Sequence, residues 1–162
     1  MPEPNYAVHQ TRGPRLADNG TYFQMTPEKG KAYQAPCCLV IDDTPDVLQA
    51  VAMMLTRLGY NVDTAATKAD VTSRLADCRY ELIVTDLEMP DMNGYHLAIT
   101  IKTVSRKTRV IIMTGRHPGD CKAMMRTGWV DEWLFKPFGL TKLRQTIKVR
   151  ECVAPSTELV GV

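Results

Sequence analysis

Five side chains that could act together in one reaction each follow a short apolar run of the sequence: Asp42, Asp43, Asp86, Thr114 and Lys136. Three carboxylates that lie close together repel one another, and a hard divalent cation with oxygen ligands relieves that repulsion. Magnesium fits best because it takes few carboxylates and keeps several waters. A carboxylate beside such a cation can attack phosphorus, while an ammonium and a hydroxyl each contact a phosphoryl oxygen. The residue types therefore indicate phosphoryl transfer to an aspartate.

The elements that must position these residues alternate between two periodicities. Short apolar runs predict strands at 37–41, 61–65, 82–85, 110–113 and 133–135. Helical spacing of apolar residues predicts helices at 45–58, 68–78, 94–103, 118–127 and 140–147. We expect Thr44 to cap the first helix, and Leu75 and Val104 to face the core. Five strands alternating with five helices predict a doubly wound α/β fold with a five-stranded parallel sheet, in which functional groups gather beyond the carboxyl ends of the strands.

Length and composition indicate one folded domain between two tails. The chain has 162 residues, of which 44% are hydrophobic and 23% charged, and its net charge is +2. These values exclude a collagenous, wholly disordered or membrane-embedded chain. Residues 1–35 hold four prolines and few large aliphatic residues, which predicts a flexible N-terminal arm. We expect the domain at 36–152 and a tail at 153–162. Without a long apolar stretch or a secretion signal, we also expect no membrane contact and a cytoplasmic location.

The resemblance to a known family rests on three motifs: Asp42-Asp43, the run Asp86-Leu87-Glu88-Met89-Pro90-Asp91-Met92-Asn93-Gly94, and Lys136-Pro137-Phe138. With Thr114 between the last two, these motifs resemble a two-component response-regulator receiver domain of the chemotaxis-regulator type. The resemblance covers residues 36–152. It implies a flavodoxin-like receiver fold with strand order 2-1-3-4-5.

The resemblance also implies which residues bind the cation and the phosphoryl group. Asp86 would be the phosphoacceptor. Asp43 and Asp86 would bind Mg²⁺ directly, together with the backbone carbonyl of Glu88, and Asp42 would bind it through water. Lys136 would hold the phosphoryl group.

The family's switch residues can be placed in the same way. Thr114 would move toward the phosphoryl group, and Trp133 would follow it inward, although tyrosine or phenylalanine is usual at that position. The Lys136-Pro137 peptide bond would be cis. The readout face would comprise the fourth helix, the fifth strand and the fifth helix.

Other positions depart from the common pattern of the family. Gly115 follows the switch threonine where alanine is commoner, and the spacing from Gly128 to Lys136 is one residue longer than usual. Glu88 and Arg116 stand at positions that border the phosphoryl site. Our hypothesis is that these two side chains pair over the site, hinder hydrolytic water and prolong the phosphorylated state.

The segment 102–109 carries four basic residues, a composition compatible with nucleic-acid contact. We interpret it as a solvated turn because no aromatic residue within it could stack on a base. Met53 and Met125 are interpreted as core residues. We interpret His96 as a helix-surface residue and His117 as a residue near a helix cap.

The function that these features predict is a stand-alone phosphorylatable switch. A sensor histidine kinase or a phosphotransfer protein would phosphorylate it, and it would signal by contact with a downstream protein or by onward phosphotransfer. We expect no direct binding of nucleic acid because no room remains after residue 152 for a DNA-binding domain. Such a switch modifies itself and does not turn over an external substrate. The alternatives are an interaction module that has lost phosphorylation, a receiver domain cut from a hybrid kinase, and a haloacid-type hydrolase, which needs an aspartate where this chain has Glu88.

Overall fold

The structure is a computed structural model that describes residues 35–148. The predicted tail and all but the last residue of the predicted arm lie outside these residues. The elements of the described part follow one another in this order: β1 (Cys37–Ile41), α1 (Pro45–Arg57), β2 (Asn61–Ala65), α2 (Lys68–Asp77), β3 (Leu82–Asp86), β4 (Glu88–Met89), β5 (Met92–Asn93), α3 (Gly94–Val104), β6 (Arg109–Thr114), α4 (Pro118–Met125), β7 (Glu132–Phe135) and α5 (Leu140–Lys148).

Five of the strands form one parallel sheet in the order β2-β1-β3-β6-β7. The remaining two, β4 and β5, form a short antiparallel ribbon after β3 that no pattern in the sequence predicts. Counting only the strands of the parallel sheet, its order is 2-1-3-4-5, which confirms the predicted α/β fold. The register pairs Ile41 with Thr85 and Thr114 with Phe135, so the carboxyl ends of β1, β3, β6 and β7 lie at the same edge.

Helices cover both faces of the sheet, which explains why its inner strands are apolar along their whole length. Alternate strand residues point to opposite faces. One face packs against α2, α3 and α4 through a buried cluster that includes Leu39, Ile41, Ile83, Ile112, Val71, Ala98, Ile101 and Cys121. The other face packs against α1 and α5 through Val40, Val84, Ile111, Leu134, Val51, Leu55, Leu143 and Ile147. The paired clusters fix the sheet as a rigid support for the side chains at its carboxyl edge.

The helices begin at capping residues, and one of these works differently from the prediction. Thr44 is the N-cap of α1, but its side chain makes no capping hydrogen bond. Its backbone N–H instead donates to Asp42 Oδ1 over 2.9 Å. His117 caps α4 by accepting the N–H of Gly119 on Nδ1, in agreement with its predicted place near a cap.

Several apolar residues that the helical periodicity placed in the core are exposed instead. Met53 is 60% exposed because it points away from the buried face of α1 that Val51 and Leu55 define. Leu75 is exposed because α2 lies over the edge strand β2 and buries only Val71 deeply. The core predictions for Val104 and Met125 are also wrong, with exposures of 85% and 42%.

The predicted solvated turn is confirmed for residues 106–107, which are exposed, but not for the other two basic residues of the segment 102–109. Lys102 is buried, and its Nζ contacts Asp131 Oδ2 at 2.5 Å. Arg109 donates from its guanidinium to the carbonyl oxygens of Thr146 and Ile147, the last described turn of α5. Both side chains therefore hold helices against the sheet. No helix in residues 35–148 is long and apolar enough to cross a membrane.

Candidate functional site

Four of the predicted site residues stand at the carboxyl edge of the sheet because each one ends or follows a parallel strand. Asp42 follows β1, Asp86 ends β3, Thr114 ends β6 and Lys136 follows β7. The structure joins three of them directly. Lys136 Nζ donates to Asp86 Oδ1 over 2.6 Å and to Asp42 Oδ2 over 2.9 Å. The two carboxylates thus share one ammonium.

The carboxylate of Asp86 is held from two sides and still reaches solvent. Its Oδ2 accepts the backbone N–H of Glu88 over 2.7 Å, while its Oδ1 accepts from Lys136. The side chain of Asp86 is 12% exposed, whereas that of Asp42 is 1% exposed. Of the two carboxylates bound to Lys136, that of Asp86 is therefore the one that an incoming group can approach.

Lys136 is positioned to remain charged. Partial burial acts to lower the pKa of Lys136, but the hydrogen bonds and negative charges of Asp86 and Asp42 outweigh it and raise this pKa above its ordinary value. The backbone N–H of Lys136 donates to the carbonyl oxygen of Thr114 over 2.7 Å, which ties the end of β7 to the end of β6. The Lys136–Pro137 peptide bond is cis, as the resemblance implies.

Gly94 lets α3 begin directly against the end of β3. A Cβ at this position would lie 2.0 Å from the carbonyl oxygen of Asp86, a distance that real Cβ atoms do not show. The preceding residue, Asn93, caps α3 by accepting the N–H groups of Tyr95 and His96 on Oδ1. In the sequence Gly94 is marked only as part of a motif and as a helix start, and no pattern there predicts this packing role.

Thr114 and Trp133, the two predicted switch residues, lie on neighbouring strands. Thr114 is buried, and its Oγ1 accepts the backbone N–H of Arg116 over 3.0 Å. Trp133 packs against the core cluster beneath α2, α3 and α4. Within residues 35–148 its indole Nε1 is buried and has no hydrogen-bond partner. Their movement on phosphorylation stays a prediction.

The predicted pair between Glu88 and Arg116 is confirmed. Arg116 Nη2 contacts Glu88 Oε1, and the two side chains are 45% and 55% exposed, respectively. The hydrogen bond from Arg116 lowers the pKa of Glu88, and the same bond raises the pKa of Arg116. The effect of this pair on hydrolysis stays a prediction.

The donor set suits a hard cation, although the described residues form no closed metal cage. Asp42 and Asp86 place two carboxylates on one ammonium, which leaves an excess of negative charge, and the next residue after Asp42, Asp43, is exposed. No group of three or more His, Cys, Asp or Glu side chains in residues 35–148 is arranged to hold a metal by itself. Mg²⁺ does not need such a group, because it is commonly bound by one or two carboxylates, waters and substrate phosphates. The residues therefore fit this ion.

The fold described above agrees with the comparisons with known proteins. The family model for the response regulator receiver domain matches residues 38–148. The chain belongs to this family.

Individual relatives show the same domain in different contexts. The transcriptional regulatory protein KdpE of Mycobacterium tuberculosis is 32% identical over 114 residues, which cover 68% of this chain and 50% of KdpE. Protein PilG of Pseudomonas aeruginosa is 31% identical over 112 residues, covering 68% of this chain and 83% of PilG. The chain spans about half the length of KdpE and of the transcriptional regulatory protein PrrA of Mycobacterium leprae.

Solved receiver structures share the fold of this chain. The chemotaxis response regulator CheY4 of Vibrio cholerae superposes with a TM-score of 0.64 at 25% identity, covering 71% of this chain and 98% of CheY4. The response regulator TrrA of Thermotoga maritima, solved in complex with Mg²⁺ and beryllium fluoride, gives a TM-score of 0.62 at 25% identity. The match covers 70% of this chain and 96% of TrrA.

Proposed function

We propose that Asp86 accepts a phosphoryl group from a phosphohistidine of a sensor histidine kinase or of a phosphotransfer protein. The observation that carries this proposal is the contact of one partly exposed carboxylate with the Lys136 ammonium at the carboxyl edge of the sheet. The neighbouring Asp42 is too deeply buried to take this role. Family membership supports the same assignment.

In the proposed reaction a carboxylate oxygen of Asp86 attacks phosphorus, a P–O bond forms, and the P–N bond to the donor histidine breaks. The leaving ring nitrogen takes up one proton from solvent, so the donor is released as neutral imidazole. No general base is needed, since the attacking oxygen already carries negative charge. Catalysis then depends on positioning and on neutralising the phosphoryl oxygens, as is usual for phosphoryl transfer.

Two groups of the chain are placed to neutralise those oxygens. Lys136 stays protonated because its pKa is raised, and its ammonium lies 2.6 Å from the carboxylate that would carry the phosphoryl group. Thr114 uses its oxygen to accept the N–H of Arg116, so the hydroxyl can still donate its proton to a phosphoryl oxygen. We propose that this donation draws Thr114 toward the site and that Trp133 follows.

We propose Mg²⁺ as the cofactor, held by Asp42, Asp43, Asp86 and the backbone carbonyl of Glu88. When bound there, it would supply positive charge beside the phosphoryl oxygens. TrrA, a solved receiver with Mg²⁺ in its complex, supports this choice. The excess of carboxylate over ammonium at the site supports it independently.

The exposed pair of Glu88 and Arg116 extends the proposal to the lifetime of the phosphorylated state. Glu88 is two residues from Asp86, and Arg116 donates its backbone N–H to Thr114, so the pair borders the acceptor. We propose that it restricts the approach of water to the aspartyl phosphate and slows hydrolysis.

The output that we propose is contact with a downstream protein or onward phosphotransfer, by a stand-alone cytoplasmic switch that makes no direct contact with nucleic acid. The match with PilG covers 83% of the length of PilG, which is therefore a relative of comparable size. KdpE, matched over half its length, is a transcriptional regulatory protein, so we offer the stand-alone role for this chain as a proposal.

Intact-protein mass spectrometry after incubation with acetyl phosphate tests the proposal. We expect one added phosphoryl group with Mg²⁺, and none in its absence or in Asp86→Asn. If the mass is unchanged, the same proteins are titrated with beryllium fluoride and Mg²⁺ while tryptophan fluorescence is followed. A response in wild-type protein that Asp86→Asn lacks supports the site. Unchanged mass and fluorescence would instead favour an interaction module that is not phosphorylated.

A further inference from the structure

A cleft of about 430 Å³ lies among the loops at the opposite edge of the sheet from Asp86. It is formed where α3 ends and where the chain enters β7, both at the amino ends of the strands. The residues that line it are Lys102, Arg106, Thr127, Gly128, Trp129 and Asp131. Its volume is within the usual range for small-molecule sites.

The floor of the cleft is rigid and nearly neutral. Lys102 Nζ contacts Asp131 Oδ2 at 2.5 Å and donates to the carbonyl oxygen of Thr108 over 2.8 Å. The same Asp131 oxygen accepts the backbone N–H of Val110 over 2.8 Å. The side chains of Lys102 and Asp131 are only 10% and 7% exposed. These contacts fix α3 to the starts of β6 and β7, so the cleft is formed before any ligand arrives.

The wall of the cleft carries a cation and an aromatic ring that are free to bind. Arg106 is exposed and has no ion pair or side-chain hydrogen bond with any residue of the described range. Trp129 is half-buried, and its ring makes no aromatic contact within the same range. A guanidinium binds phosphate through paired hydrogen bonds, and an indole face stacks on a nucleobase. The two groups together match a base that carries a phosphate.

We propose that this cleft binds a mononucleotide, with the base on Trp129 and the phosphate on Arg106. Proteins that bind a single strand use a series of aromatic platforms along a basic groove. Here one aromatic ring lines the cleft, and Lys102 is already neutralised by Asp131. One base and one phosphate therefore fit this site better than a strand does. The proposal is independent of the function proposed for Asp86.

The probe is adenosine 5′-monophosphate, titrated into the full chain while the indole N–H signals are followed by NMR. The signal of Trp129 should shift saturably, whereas that of Trp133, whose indole Nε1 is buried and which does not line the cleft, should not. Adenosine and inorganic phosphate should each bind more weakly than the nucleotide. We expect Arg106→Gln to weaken binding by about tenfold. Trp129→Ala lacks the reporting indole, so its affinity is measured by isothermal titration calorimetry beside the wild-type protein, and we expect a loss of about tenfold there as well.

Lys107→Gln is the matched control, because Lys107 is also exposed and basic but does not line the cleft. It should leave the affinity unchanged. Equal losses in Arg106→Gln and Lys107→Gln would overturn the proposal, since they would show attraction by charge alone. So would the absence of a saturable shift at Trp129 in the wild-type protein. A short single strand of DNA that binds far more tightly than the nucleotide would overturn the assignment to a mononucleotide.

Discussion

Replacing Gly94 with alanine tests how closely α3 must approach the strand that carries Asp86. The added Cβ would lie 2.0 Å from the Asp86 carbonyl oxygen and 3.2 Å from Thr85 Oγ1. Ordinary contacts begin near 3.4 Å, so the helix and the Asp86 peptide must move apart by more than an ångström. Overpacking of this kind costs about 3 kcal/mol at the upper end of its usual range. Alanine recovers up to about 1 kcal/mol through its better helix propensity. We expect a net loss of about 2 kcal/mol.

Urea unfolding of the full chain, followed by far-ultraviolet circular dichroism, measures this loss. In a thermal scan a loss of about 2 kcal/mol corresponds to a midpoint lower by about 8 °C for a domain of this size. Gly115→Ala is the matched control, since a Cβ at Gly115 would meet no atom within 4 Å. Because alanine restricts the unfolded chain, this control should be as stable as the wild-type protein or more stable by up to about 1 kcal/mol.

Two results would refute the reasoning about Gly94. One is a free energy of unfolding for Gly94→Ala equal to that of the wild-type protein, which would mean that the contact with Asp86 relaxes without cost. The other is an equal loss in Gly115→Ala, which would show that any side chain near this edge destabilises the domain.

Three ion pairs can be tested by removing the cation. Arg116→Ala should speed dephosphorylation by about two- to fivefold, because an exposed ion pair contributes little free energy. An unchanged rate, measured by mass spectrometry, would contradict the proposal that the pair with Glu88 restricts the approach of water. Lys102→Met should lower the free energy of unfolding, measured in urea, by about 3 kcal/mol, because the Asp131 carboxylate then stays buried without a cation. Adding Asp131→Asn removes that unpaired charge, so the double variant should recover part of the loss. The pKa of Lys136 is raised in the folded protein, so its ammonium should contribute fully to the free energy of unfolding below about pH 10.4, and this contribution should disappear at higher pH. If the difference in unfolding free energy between the wild-type protein and Lys136→Met grew above that pH instead, the direction assigned to the pKa shift would be wrong.

The fold could be predicted because the burial of the strands leaves a direct mark on the sequence. The inner strands are covered on both faces, so their residues form continuous apolar runs, and polar residues mark where each strand ends. For helices at the margin of the domain, by contrast, an apolar residue with helical spacing is not always buried. Leu75 has the right spacing to face inward, but α2 covers an edge strand and leaves it exposed. Spacing gives the direction of a side chain on its helix but not how far the neighbouring layer extends.

Much of the site could be predicted because parallel strands carry their last residues to one edge. Asp42, Asp86 and Lys136 meet there as expected. The contact of an α3 side chain with a loop residue distant in sequence could not be predicted. The burial of Lys102 could not be predicted because its partner, Asp131, is separated from it along the chain by another strand and another helix.

The contacts of Asp86 indicate where a phosphorylation signal must travel. Its carboxylate is bound by Lys136 and by the N–H of Glu88, and Gly94 packs against its carbonyl oxygen. These contacts leave the end of β3 little freedom to move. Thr114, by contrast, is restrained at its side chain by one hydrogen bond from the backbone of Arg116, at the start of the loop into α4. We therefore expect the added charge on Asp86 to be felt first at Thr114 and α4, while β3 and α3 keep their positions.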